Sequence, residues 1–271
     1  MASEGELWAG YFYPETYDPN RMQGTLRNRF GERDQGTLNK LEYGSSADRQ
    51  RELMSGEVEL PRTYDADHVR SIHRHLFQDV YDWAGEYRTV PIFKGTPVGF
   101  ADVKNGDVDR YLSDVHRLVE ATPWDRLDRA DFGERAATVF AYLNQAHPFR
   151  EGNGRTSKVF MEHVAERSRF TLDYDRVSPA EWNEASKWSG PDLMAYEPHP
   201  GDLVKVFRAI AADRGPVTAA GPDTTSQTRS ALSASYPRSA TKATRKTPRS
   251  APQARRSSPT TPGRSQGTER D

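Results

Sequence analysis

Apolar residues recur at intervals of three and four along much of the chain, which predicts amphipathic helices. The clearest stripe follows Asp65 or Asp67, either of which is a suitable N-cap for a helix over 65–80. Its members are Val69, Ile72, Leu76, Phe77 and Val80. Further helices are predicted over 35–55, 102–121, 128–146, 179–189 and 201–213. The apolar side of the first of these is expected to consist of Leu38, Leu41 and Leu53.

One stretch, 88–100, has a β pattern instead. Two short runs of β-branched and aromatic residues flank Lys94-Gly95-Thr96, which is typical of a hairpin turn. A lone hairpin has open edges that can pair with an extended peptide. We therefore predict an all-α fold with one β-hairpin, organised as a lead-in segment over 1–34, one core domain over 35–213 and a tail over 214–271.

The helix over 65–80 contains three histidines, which raises the question of a metal site. His68 and His73 are five residues apart and His75 follows two further on, so the three do not share one helix face. We expect them to be surface or core-edge residues rather than metal ligands.

The stretch from His147 to Lys158 contains most of the chemistry in the chain. Pro148 ends the helix over 128–146, because the residue before a proline avoids helical angles. Gly152 and Gly154 permit backbone angles that other residues rarely adopt, and a second helix is predicted over 155–168. The stretch is therefore predicted to be a short loop between two helices, with the second helix starting near Gly154.

A helix N-terminus behind a glycine-rich turn offers unpaired N–H groups to an anion. Arg155 and Lys158, three residues apart, would add positive charge on one face of the first turn. Glu151 could hold the Mg²⁺ that accompanies a nucleoside triphosphate, and His147 could take a proton from an attacking hydroxyl. A lone histidine at a helix end is more often a cap, and Gly-Asn-Gly is usually a turn. Their occurrence together favours phosphoryl or nucleotidyl transfer.

The same stretch resembles the signature of the Fic family, with arginine replaced by Lys158 at the last position. The matching residues are His147, Phe149, Glu151, Gly152, Asn153, Gly154 and Arg155. The resemblance extends over roughly 11–210 and is close at 81–88. The lead-in over 11–34 looks like that of Fic toxins held inactive by a small antitoxin. The resemblance implies a Fic-type helical bundle in which the hairpin is a flap that positions a target segment.

The resemblance also implies protein adenylylation, in which AMP passes from ATP to a Tyr, Thr or Ser hydroxyl of a target protein. In this reaction His147 is the general base and Glu151 binds Mg²⁺ between the α- and β-phosphates. Asn153 and the amides of 152–154 hold the phosphates, and Arg155 stabilises the β-phosphate. Lys158 would bind the γ-phosphate more weakly than arginine, because it lacks the bidentate fork. Phe149 is expected to pack into the core, and the flap residues are Val90, Ile92, Phe93, Lys94, Gly95 and Thr96.

The sequence lacks a complete inhibitory motif of the family, (Ser/Thr)-x-x-x-Glu-(Gly/Asn). Ser55 and Glu59 have the required spacing, as do Ser265 and Glu269, but Leu60 and Arg270 follow them. We therefore expect a separate antitoxin to supply the inhibitory helix, although an unregulated enzyme stays an alternative. Antitoxin-linked relatives suggest a type II topoisomerase subunit as the target.

The tail is rich in Ser, Thr, Pro and Ala and carries an excess of Arg and Lys, so we expect it to be disordered and able to contact nucleic acid only weakly. The chain has no cysteine and no apolar run of membrane-spanning length. Its N-terminus lacks the features of a secretory signal, so a cytoplasmic location is expected, with delivery to another cell left open.

Three other functions are compatible with the residues. A Fic-like phosphotransferase would use ATP in the opposite orientation, but such relatives carry lysine where this chain has Gly154. Transfer of UMP or phosphocholine is not distinguished by the phosphate loop. A non-catalytic interaction module is disfavoured by the intact His147, Glu151, Asn153 and Arg155.

Overall fold

The computed structural model describes residues 2–93 and 98–215 of the 271-residue chain. The turn residues Lys94, Gly95 and Thr96 and all but the first two residues of the predicted tail lie outside this part. The helices are α1 (Glu4–Ala9), α2 (Gln35–Ser55), α3 (Ala66–Phe77), α4 (Asp107–Glu120), α5 (Arg129–Ala146), α6 (Asn153–Ala165), α7 (Pro179–Lys187) and α8 (Gly201–Ile210). The strands are β1 (Phe170–Leu172) and β2 (Ala211–Asp213). The predicted all-α class is confirmed.

Helix α5 lies at the centre of the bundle and packs against α4, α6 and α8. Its small and aromatic residues are buried on several sides, which explains the weak amphipathicity of a helix surrounded by neighbours. Phe140 contacts the rings of both Trp182 on α7 and Phe207 on α8. This central helix delivers its last residue, Ala146, to the loop that contains the predicted chemistry.

The helix starts follow from side-chain caps. Asp34, Asp65, Asp128 and Ser178 each accept a hydrogen bond from the backbone N–H three residues on. Ser178 and Glu181 complete a capping box ahead of α7, where Pro179 occupies the first helical position. Two helices have other bounds than predicted. Helix α4 begins at Asp107 rather than at 102, and α6 covers Asn153–Ala165 rather than 155–168.

A small antiparallel sheet that was not predicted lies near the end of the described residues. Phe170 of β1 pairs with Asp213 of β2, and Leu172 pairs with Ala211. The last helix therefore stops at Ile210, because the following residues continue as strand. Arg214 extends this pairing by donating its backbone N–H to the Arg169 carbonyl over 2.8 Å. The folded part thus includes a residue that was assigned to the tail.

The described residues on either side of 94–97 do not form the two regular strands of the predicted hairpin. The two flanks, 90–93 and 98–100, are joined by a backbone hydrogen bond of 3.2 Å from Phe100 N–H to the Ile92 carbonyl. Val90 and Ile92 are buried, whereas Phe93 is exposed. Of the β-branched residues that suggested the first strand, Val90 and Ile92 are therefore anchored in the domain core.

Helix α2 has a different buried face from the one predicted. Leu38 and Leu53 are buried, but Leu41 is 41% exposed. The residues between the two buried leucines on the same face are Glu42, Ser46 and Gln50, and all three are buried. The helix therefore turns a polar stripe toward the interior, where buried polar groups need partners.

Two of the three histidines of α3 are core residues rather than surface or core-edge residues. His68 and His73 are buried, whereas His75 is only partly buried, as expected. His68 Nε2 lies 3.0 Å from His163 Nδ1 on α6, with the two rings stacked. Within the described residues no group of three His, Cys, Asp or Glu side chains is arranged to hold a metal, and no helix there is both long and apolar enough to cross a membrane.

Candidate active site

The loop between α5 and α6 is held by two residues with left-handed backbone angles. His147 ends α5 with φ 39° and ψ 56°, and its N–H reaches the Leu143 carbonyl. Gly152 precedes α6 with φ 80°. A Cβ atom at position 152 would lie 2.4 Å from the ring of Phe77, so a side chain has no room there. Glycine is therefore required on both conformational and steric grounds.

The predicted anion site would lie at the first turn of α6, which begins at Asn153. The amides of its first residues have no partner within a helix, because the preceding turn does not exist. The N–H of Thr156 donates to the Gly152 carbonyl over 3.1 Å and so makes the first hydrogen bond of the helical pattern. The amides of 153–155 thus mark the place where a phosphate chain would meet the helix dipole.

The imidazole of His147 lies at the start of this loop beneath an aromatic ring. Its plane stacks on Phe100 with 3.7 Å between the ring centroids and an angle of 8° between the planes. His147 is 3% exposed, whereas Phe100 is only partly buried. The imidazole therefore lies one ring below the surface, next to the residues that follow the predicted flap.

Phe149 and Asn153 fix the shape of the loop. Phe149 is buried, as expected, and stacks on His73 with 3.7 Å between centroids. Asn153 accepts from Phe149 N–H over 2.9 Å and donates its amide to the Phe149 carbonyl over 2.7 Å. The expectation that the Asn153 side chain holds phosphate does not match this arrangement, because both ends of its amide are used to close the loop.

Glu151 is partly exposed, and its backbone is held by His73. Gly85 N–H donates to His73 Nδ1 over 2.8 Å, which places the ring proton on Nε2. That nitrogen donates to the Glu151 carbonyl over 3.1 Å. Burial lowers the pKa of His73 to about 3, so the ring stays neutral and this tautomer persists. A buried residue outside the motif thus sets the backbone at Glu151.

Arg155, which was predicted to add positive charge to the anion site, is buried against α2. Its guanidinium forms an ion pair with Glu42 and donates to Ser46 Oγ over 2.8 Å, both on α2. The same carboxylate accepts a hydrogen bond from the Tyr81 hydroxyl. Burial acts to lower the pKa of Arg155, but the Glu42 carboxylate outweighs it and raises that pKa. The polar stripe of α2 is therefore the partner of this motif residue.

Lys158 points to a different set of neighbours, so the predicted common face with Arg155 is wrong. Its ammonium lies 4.2 Å from the centre of the Tyr174 ring and 4.9 Å from that of Trp182. Burial lowers the pKa of Lys158 to about 8.

The predicted flap residues differ in their exposure, because Val90 and Ile92 are buried while Phe93 is exposed. Lys94, Gly95 and Thr96 lie outside the described residues.

Sequence reasoning missed four residues that build the site, namely Glu42, His73, Arg88 and Phe100. A signal existed for Glu42, because polar residues at 42, 46 and 50 continue the face defined by Leu38 and Leu53. Such a stripe between buried leucines indicates buried polar partners. The other three contact the loop from other parts of the chain, His73 and Arg88 through hydrogen bonds to its carbonyls and Phe100 through its stack on His147.

The fold and the loop at the start of α6 define a helical domain of the Fic type. A Fic domain from Bartonella quintana, solved with bound ADP, superposes with a TM-score of 0.64 at 26% identity, covering 76% of this chain and 96% of that one. The model of the Fic/DOC family matches residues 63–165. The chain belongs to the Fic/DOC family.

Two curated relatives carry the name of an activity. Protein adenylyltransferase VbhT of Bartonella schoenbuchensis is 34% identical over 189 residues, which are 68% of this chain but 37% of VbhT. The probable protein adenylyltransferase Fic of Escherichia coli is 31% identical over 212 residues, covering 75% of this chain and 96% of the relative. By these relationships the chain is an enzyme of the nucleotidyltransferase class.

Proposed function

We propose that this protein is a protein adenylyltransferase that moves AMP from ATP to a hydroxyl side chain of a target protein. The observation that carries the proposal is the loop itself, in which Gly152 opens the N-terminus of α6 a few residues from the imidazole of His147. The names of the relatives and the ADP in the superposed Fic domain support the same reaction.

In the proposed reaction the target hydroxyl attacks the α-phosphorus of ATP. His147 accepts the hydroxyl proton as the new oxygen–phosphorus bond forms. The bond between the α-phosphorus and the oxygen leading to the β-phosphate breaks, and pyrophosphate leaves. The stack on Phe100 fixes the plane of the imidazole for this transfer.

The phosphates are proposed to bind mainly to backbone amides at the start of α6. Such amides are preorganised donors, which makes them effective where negative charge develops. Arg155 and Lys158 contribute positive charge from the first two turns of the same helix, but through buried side chains. A direct contact of Arg155 with the departing phosphate would require it to exchange Glu42 for the nucleotide.

Glu151 is the residue proposed to bind Mg²⁺. It is a partly exposed carboxylate directly before Gly152. Mg²⁺ usually keeps several waters and binds through one or two carboxylates together with substrate phosphates, so one carboxylate here fits the ion. When bound, the ion neutralises charge on the pyrophosphate leaving group.

We further propose that the protein is the toxin of a bacterial toxin–antitoxin pair. The lack of a complete inhibitory motif in the sequence supports a separate antitoxin that supplies the missing helix. The target protein is proposed to bind along the segment that contains Val90, Ile92 and Phe93, and a type II topoisomerase subunit is the first candidate to test.

The experiment that tests the activity compares three labelled nucleotides. The protein is incubated with a bacterial lysate and with ATP labelled at the α-phosphate, ATP labelled at the γ-phosphate or UTP labelled at the α-phosphate. Label from the α position on a lysate protein, absent with His147→Ala, is the expected result. Label from the γ position alone would make the protein a phosphotransferase, and label from α-labelled UTP in preference to ATP would make it a uridylyltransferase. No label in any arm would favour an interaction module.

A further inference from the structure

A buried arginine outside the motif joins the catalytic loop to both ends of the segment around 90–101. Arg88 donates through Nε to the His147 carbonyl over 2.8 Å. Its Nη1 donates to the Val90 carbonyl over 2.8 Å, and its Nη2 donates to the Ala101 carbonyl. The backbone N–H of Arg88 also reaches the Pro148 carbonyl over 2.8 Å. One residue thus holds four backbone carbonyls from three places in the chain.

This arrangement is costly, which indicates that the contacts matter. Arg88 is 2% exposed, and burial lowers its pKa to about 10. Carbonyl oxygens carry only partial charges, so they compensate a buried cation less well than a carboxylate does. An apolar side chain of the same size would fill the space without that cost, but it would release the carbonyls.

Of the four carbonyls bound by Arg88, that of His147 bears most directly on the direction of the imidazole. His147 has φ 39°, a left-handed angle that is strained for a residue with a side chain. The Arg88 Nε bond fixes the peptide plane that follows this residue, and with it the direction of the imidazole. Without that bond the backbone at His147 can relax toward an ordinary angle.

The segment that follows the predicted flap is attached to the same place. Ala101 N–H donates to the Gln145 carbonyl over 2.9 Å, and Gln145 Nε2 donates to the Gly99 carbonyl over 2.9 Å. Phe100, between them, stacks on His147. Arg88 therefore connects the carbonyl of His147 to the carbonyl of Ala101, which is next to Phe100.

We propose that Arg88 is a positioning residue that couples the backbone at Val90 and Ala101 to the direction of the His147 imidazole. A target bound beside Val90 or Ala101 would then be aligned with the base that deprotonates it. The consequence for catalysis rests on the proposed adenylyltransferase function, whereas the positioning of the ring does not.

The test uses Arg88→Lys, which keeps the charge but not the fork, and Arg88→Met, which keeps the stem. Arg150→Met is the matched control, because Arg150 is also fully buried on this loop. Its guanidinium lies 4.1 Å from the centre of the Trp8 ring and 5.2 Å from that of Phe12, and its three nitrogens have no hydrogen-bond partner in the described residues. Both arginines stabilise the loop region, but Arg88 alone of the two holds the His147 carbonyl.

The first readout is the Cε1–H resonance of His147 in protein labelled only at histidine. The chain has seven histidines, so His147→Ala identifies the signal. Stacking on Phe100 shifts this resonance upfield, and Phe100→Leu removes the shift. We expect both Arg88 variants to move the resonance toward the Phe100→Leu position, while Arg150→Met leaves it in place. A wild-type resonance in folded Arg88→Lys and Arg88→Met would overturn the proposal.

The second readout is the transfer reaction with α-labelled ATP. A displacement of about 1 Å at a reacting group costs on the order of 100-fold, so we expect kcat to fall by about that factor in Arg88→Met. The KM for ATP should stay within about twofold, because the amides of α6 are untouched. A loss confined to KM, or an equal loss of kcat in Arg150→Met, would contradict the proposal. If the wild type transfers nothing but the resonance moves as expected, the proposed function fails and the positioning role of Arg88 stands.

Discussion

The ion pair between Glu42 and Arg155 gives the sharpest prediction of stability. Both side chains are 9% exposed, and the same carboxylate accepts from the Tyr81 hydroxyl. Glu42→Ala leaves a guanidinium buried without its counter-charge, which costs about 3–5 kcal/mol. Since domains of this kind are stable by about 5–15 kcal/mol, the variant loses a large share of its stability.

The assay is urea unfolding followed by the fluorescence of the five tryptophans. Glu120→Ala is the control, because its pair with Arg167 lies at the surface with side chains 49% and 31% exposed. That variant should lose about 0–1 kcal/mol. Glu42→Leu combined with Arg155→Met should recover most of the loss, because both charges of the pair are removed together. An effect of Glu42→Ala as small as that of Glu120→Ala would refute the reasoning.

Three other predictions follow from the site. Gly152→Ala should lower the free energy of unfolding by about 2–5 kcal/mol and abolish ADP binding measured by calorimetry, because the added Cβ meets Phe77 in a left-handed conformation. Gly44→Ala is the control, since the space around its Cβ is open. Unchanged ADP binding in Gly152→Ala would contradict the proposed phosphate site at the start of α6. Burial lowers the pKa of His73 to about 3, so the unfolded chain binds a proton below pH ~6.5 that the folded one refuses. The contribution of His73 to the free energy of unfolding is therefore fully present above that pH and falls below it by up to about 1.4 kcal/mol per pH unit. In His73→Gln, the slope of the unfolding free energy against pH, measured by urea titrations, should be smaller by this amount. An unchanged slope would argue against the assignment. Lys158→Arg should keep transfer activity and tighten ATP binding through a bidentate contact, and identical ATP affinity would show that position 158 does not reach the nucleotide.

The parts of the fold that depend on neighbouring residues were accessible from the sequence. The caps at Asp65 and Ser178 lie within three residues of the amides they bind, so their effect is local. The loop from His147 to Gly152 was predicted for the same reason, because proline and glycine act on their own backbone angles. Helix α2 was placed over its full length, Gln35–Ser55.

The parts that depend on distant partners were not accessible. Arg155 is bound by a carboxylate 113 positions away, and Arg88 by carbonyls at 90, 101 and 147. The strands β1 and β2 have three residues each, which is too short for a period of two to stand out. The family could be recognised from its motif in the sequence, but which side chain faces which neighbour is decided by these long-range contacts.

The most direct test of the central claim is the chemical identity of the modification. A lysate protein labelled in the presence of α-labelled ATP is digested and its modified peptide is sequenced by mass spectrometry. The account predicts AMP in phosphodiester linkage to a Tyr, Thr or Ser hydroxyl, formed by the wild-type protein and absent with His147→Ala. A bare phosphate on the peptide, or the same AMP-modified peptide formed at the wild-type rate by His147→Ala, would contradict it.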